Sequence, residues 1–253
     1  MDITHIQTAH TAAGGGSSVN VTIANTVGGN FLVAFAAWGI GGGDVELTSV
    51  TDSGGAGSDT FVAVRASQLY VANLGRLRAY YAKNIGSGRT TVTFNWSGNT
   101  TNFANCFVSE YSGGDLVNLL DGSNSAAGIS TTIDGGAVTT TKANELIWGG
   151  SDNQSGGTTS AGTGFTIRDN ITNATVVEDK VVNATGTYNA TATSSVSGFW
   201  GAMTATFISA SQPAAAGIKI RRTLSSVGTR IGSRQIHNWT KGYHRDKSGL
   251  WLR

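Results

Sequence analysis

Proline and cysteine are nearly missing from this 253-residue sequence, which has one of each. With Cys106 alone, no internal disulfide framework is available. Cys106 lies in the apolar run Ala104-Asn105-Cys106-Phe107-Val108, where a buried inert thiol is expected rather than a nucleophile. The near absence of proline excludes a Pro-rich linker. Charge is sparse at 13%, and no apolar run approaches the roughly 18 residues of a membrane helix. The N-terminal residues Met1-Asp2-Ile3-Thr4-His5 lack a basic and an apolar region, so no signal peptide is expected. That favours synthesis in a cytoplasm as a soluble chain.

What is present argues against disorder. Gly reaches 36 residues, but 39% of the chain is hydrophobic, with six Trp, six Tyr and nine Phe. Low hydrophobicity and high net charge, the signature of disorder, are both lacking. A domain of about 200 residues buries roughly 70% of its unfolded surface and needs no staples.

Short β-type segments recur between Gly, Asn, Asp and Ser clusters. Val92, Phe94 and Trp96 alternate onto one face, and Phe31–Trp38 is continuously apolar, as suits a strand buried on both sides. Further strands are expected at 19–23, 46–52, 60–65, 76–83, 103–111, 145–148, 164–168, 175–182, 187–191 and 199–208. No helical spacing with caps appears before Pro213. Many short strands at short intervals predict an all-β antiparallel sandwich over residues 1–210.

Residues 211–217, Ser-Gln-Pro-Ala-Ala-Ala-Gly, read as a linker to an arm over 218–253. That arm carries nine basic residues against one acid, a net of +8. From totals of 17 and 15, the first domain keeps eight basic and fourteen acidic residues, or −6. Such asymmetry points to assembly. The arm interleaves its charge with apolar residues, so Arg221, Arg222, Arg230, Arg234, Trp239, Tyr243, Arg245, Trp251 and Arg253 are the expected docking residues. Pure Lys/Arg with polar spacers would fit nucleic acid better. A protein surface is favoured, including the acidic domain of a neighbouring copy. Gly217 at the end of the linker and four glycines in the arm argue against a membrane helix.

Several phrases resemble a concanavalin-like or jelly-roll β-sandwich module of bacterial surface proteins and phage virion proteins: Thr48–Gly54, Tyr80–Asn84, Ser109–Gly113, Leu120-Asp121 and Glu178–Lys180. The resemblance covers residues 1–210 and not the arm. It implies a non-enzymatic virion structural protein (capsid decoration, fibre or tail component) or a carbohydrate-binding or adhesin module at a cell surface. A glycan hydrolase or lyase is the weaker implication.

Each alternative names residues. Trp38, Trp96, Trp148 and Trp200 would be sugar platforms if exposed. A hydrolase needs two carboxyls about 5–9 Å apart, for which Glu110 and Glu178 are the candidates. Against them stands a structural reading, with Glu178 paired to Lys180. His5 and His10 differ by an odd step and would face opposite sides of one strand, and His237 and His244 lack nearby ligands, so no metal site is expected. Asp52, Asp59 and Asp121 offer the oxygen chemistry of Ca²⁺ without a motif to gather them. No nucleophile elbow or phosphate loop occurs.

Overall fold

The apolar runs become antiparallel strands, and among the described residues there is no helix. The computed structural model describes residues 2–41, 43–71 and 75–210. The strands are β1 (Thr4–Thr22), β2 (Phe31–Gly39), β3 (Leu47–Ser53), β4 (Val62–Ala63), β5 (Gln68–Val71), β6 (Gly75–Ala82), β7 (Thr91–Ser112) and β8 (Leu120–Asp134). They continue with β9 (Val138–Thr139), β10 (Glu145–Asn153), β11 (Thr159–Ala161), β12 (Thr166–Ile171), β13 (Thr175–Val182), β14 (Thr187–Tyr188) and β15 (Thr191–Ile208). Sheet A runs β1-β7-β2-β6-β4, with β3 also on β7 and β5 on β6. Sheet B runs β11-β15-β10-β13-β12, with β8 also on β15. The domain is an all-β antiparallel sandwich. Residues 211–253, expected to form a linker and an arm, lie outside the described residues.

Every residue of β2 is buried, as its unbroken apolar run predicts. Its odd residues Val33, Phe35 and Ala37 face sheet B and pack with Phe107, Trp148, Met203 and Phe207. Its even residues Leu32, Ala34, Ala36 and Trp38 face away, into a second core. That second core exists because β1 and β7 bend. At Gly15 and Gly16 the backbone takes φ of 133° and 143°, and opposite them Asn102 takes 67°. Beyond the bend, Val19, Val21, Phe94 and Trp96 return over sheet A together with Leu47 and Val50 of β3. Trp38 and Trp96 meet edge to face at 6.1 Å, a favoured aromatic geometry. Gly39, at the end of β2, lies against this bend.

Candidate binding cleft

The bend of β7 also opens one pole of the sandwich. Around it converge Ala12–Gly14 of β1, Asn102 and Phe103 of β7, the end of β10 and the β12–β13 turn. Thr172 and Asn173 make that turn with φ of 51° and 57°, a region Asn tolerates better than most residues. Two adjoining cavities result. One, of about 530 Å³, is walled by Phe103, Asn105, Asp152, Asn153, Gln154 and Ile171 among others. The other, of about 340 Å³, is bounded by Val71, Asn102, Phe103, Gln154 and Phe199. No described residue lining either is basic.

Asp152 is the chemical centre of this cleft. Its carboxylate, 1% exposed, accepts hydrogen bonds from the Tyr70 hydroxyl and Gln154 Nε2, each at 2.6 Å, and from the Thr175 hydroxyl. Asn105 Nδ2 donates to Thr175 Oγ1 at 2.7 Å, which fixes that hydroxyl. All these donors are neutral. Burial raises the Asp152 pKa, and its three hydrogen bonds offset only part of that. The Tyr70 phenol is pushed well above its usual range by burial and by Asp152.

Other residues singled out by sequence are arranged differently. Trp38, Trp148, Trp96 and Trp200 are 0%, 1%, 6% and 7% exposed. A sugar platform needs an open ring face, so these four are core residues instead. Glu110 shares its face of β7 with Cys106 and Val108 and points away from sheet B. There it accepts from Gln7 Nε2 at 2.6 Å, Asn30 Nδ2 at 2.7 Å and the Val27 N–H at 2.9 Å. Glu178 alternates with Val177, which faces sheet A, and so points outward from sheet B. Both sheets, stacked roughly 10 Å apart, separate the two carboxyls. They cannot flank one glycosidic bond.

Glu178 does not pair with Lys180 as expected. It accepts from the Gly162 N–H at 3.3 Å, while the Lys180 ammonium lies 4.3 Å from the Phe165 ring centroid and 5.7 Å from that of Tyr188. Burial lifts its pKa to about 7, with Gly162 and Lys180 pulling more weakly the other way. The folded chain therefore holds a proton that the unfolded chain, at 4.5, has released. Stability from this group is complete below about pH 4.5 and falls as pH rises to 7. Glu178→Gln removes that slope and stabilises at pH 8 by up to about 3 kcal/mol. Urea unfolding of both proteins at pH 5 and pH 8 measures it; an unchanged slope refutes it.

The histidines share a face after all. A bulge at Ile6 pairs His5 with Tyr111 but Gln7 with Glu110, which returns His10 to the side of His5. Their rings lie 5.4 Å from Tyr111 and 5.7 Å from Phe107. His10 Nδ1 lies 2.7 Å from Asp169 Oδ2 on β12, joining the sheet edges. Nearby, Arg168 clamps Asp179 through two hydrogen bonds of 2.9 and 2.8 Å. Among the described residues no three metal-binding side chains gather.

The aspartates offered for Ca²⁺ are engaged elsewhere. Asp52 and Asp59 turn onto the Arg89 guanidinium, with Nε at 3.2 and 3.0 Å. Asp121 accepts from the Thr141 hydroxyl and N–H, both at 2.6 Å.

These burials change the charge picture. Glu110, Glu145, Asp152, Glu178 and Asp179 are buried, and so is Arg89. The Asp52 side chain is 0% exposed as well, so of fourteen acids and eight bases in the domain eight and seven remain nearer the surface, while the domain's net charge stays at −6. Six of the domain's fourteen acids are therefore interior. The expected docking residues from Arg221 to Arg253 lie outside the described residues. Compared with protein-family models, curated proteins and solved structures, the chain matches none.

Proposed function

We propose that this chain is a non-enzymatic structural protein of a phage particle, as a capsid decoration, fibre or tail component. The sandwich is its body and residues 218–253 are its docking arm. The observation that carries this reading is the segregation of charge, +8 in residues 218–253 against −6 in the body. A field so concentrated in one segment steers that segment to its partner. The phrases that resemble jelly-roll modules of virion proteins support the same reading. A chain made in the host cytoplasm reaches the particle without secretion. The carbohydrate-binding alternative loses its tryptophan platforms.

Deleting residues 218–253 is expected to leave a domain with an unchanged β-sheet circular dichroism spectrum and unchanged near-ultraviolet bands. Its incorporation into particles, read by gel densitometry of purified virions, is expected to fall to background. Undiminished incorporation overturns the proposal.

A further inference from the structure

The cavity of about 530 Å³ is polar where Asn105, Asp152 and Gln154 border it and apolar at Phe103 and Ile171. Asp152 accepts from Tyr70, Gln154 and Thr175, the bonding pattern of an ionised carboxyl. Among the described residues it forms no ion pair. Asp52, Asp59 and Asp179 have arginines. Glu110 is closed over by Gln7, Val27 and Asn30, and Glu178 borders a space of only about 10 Å³. Asp152 instead stands at a cavity large enough for a small molecule.

The same network decides what that cavity offers. Gln154 turns its Nε2 to Asp152. Thr175 gives its hydroxyl proton to Asp152, so the same oxygen accepts from Asn105 Nδ2. Both amides are thereby held with nitrogen toward the network, which leaves Asn105 Oδ1 and Gln154 Oε1 as unengaged acceptors. At 1% exposure Asp152 is not itself a contact for a ligand. It acts by orienting the two amides and through its field, which burial leaves weakly screened. No described residue lining the cavity is basic. Carbonyl acceptors, a recessed negative charge and the Phe103 ring together select a donor that carries positive charge.

We infer that this cavity binds a small organic cation, an alkylammonium group held by Asn105 Oδ1 and Gln154 Oε1 with its apolar part against Phe103 and Ile171. The inference uses only described residues and is independent of the reading of 218–253, so neither falls with the other.

An amide NMR titration of the full chain with n-butylammonium chloride tests it. Controls are n-butanol and butyrate, of similar shape but zero and negative charge, at matched ionic strength. Saturable shifts are expected at the amides of Phe103, Asn105, Gln154 and Thr172 with the ammonium and with neither control. Asp152→Asn should weaken binding about tenfold, the effect of removing a nearby, weakly screened charge. Gln154→Leu, at an exposed position, should weaken it as well and decides the matter if Asp152→Asn does not fold. Nα-acetyl-lysine methylamide carries the same head group on a peptide. Tighter binding than butylammonium assigns the site to a protein lysine, and weaker binding to a free amine. Absence of a saturable shift overturns the inference, as does an equal response to butanol or binding indifferent to both substitutions.

Discussion

Replacing Arg89 by Ala is expected to lower stability by about 3–5 kcal/mol, the cost of stranding a buried ion-pair partner. For a domain of this size that is a fall in Tm of roughly 10 °C or more. Arg89 is 2% exposed and binds more than the two aspartates. Its Nη1 donates to Gly54 O at 2.7 Å and Gly57 O at 2.8 Å, so it ties the loop after β3 to the chain entering β7. The Gly86 N–H adds a bond to Asp59 Oδ1 at 3.0 Å. Without the guanidinium, Asp52 and Asp59 face each other with no cation between them. Burial already raises the Asp52 pKa, whereas hydrogen bonds from Arg89 and other neighbours hold Asp59 low despite its own burial. The deficit should therefore shrink on acidification, as both carboxyls take up protons and stop repelling. Adding Asp52→Asn to Arg89→Ala should recover part of the loss at pH 7. Differential scanning calorimetry at pH 4 and pH 7 reads both effects. A deficit independent of pH would mean that packing, not charge, is what Arg89 supplies.

Gly39→Ala is expected to cost about 3 kcal/mol or more, at the upper end of overpacking effects. A Cβ at Gly39 would stand 1.9 Å from the Thr101 carbonyl oxygen. That oxygen belongs to the backbone bend of β7, so no side-chain rotation relieves the clash. The bend also folds the second core over sheet A and shapes the cleft at Phe103. The substitution should therefore lower Tm by roughly 6–12 °C and perturb Trp38 and Trp96 fluorescence. Gly14→Ala, where a Cβ meets nothing within 4 Å, is the control and should be close to neutral. Equal melting of the two variants would refute this account of the bend.

Strands that bury both faces were legible in sequence because their apolar residues leave no alternative. Phe31–Trp38 is β2 almost to the residue, and Val92, Phe94 and Trp96 share the face their alternation requires. β8 gave no such signal. Its sequence, Leu-Asp-Gly-Ser-Asn-Ser-Ala-Ala-Gly-Ile-Ser-Thr-Thr-Ile-Asp, lacks regular alternation and reads as loop. It is a strand because β15 offers a partner along nearly its whole length, and backbone pairing needs no particular side chain. The part of β1 before Val19 gives little signal for the same reason, since Thr4–Gly16 pairs with β7 while offering few large apolar residues.

Charge shows the division most clearly. Composition and alternation alone determined the all-β class and the +8 of residues 218–253, since these depend only on which residues occur and in what order. They could not determine where the domain's acids point. Glu110, Glu178 and Asp152 look alike in sequence, each a carboxylate in a strand. Tertiary structure put the first among neutral amide donors and the second on the opposite outer face. It set the third at the wall of a cleft with no cation beside it. A carboxylate's chemistry follows from its solvation and its neighbours, and those come from strands far apart in sequence.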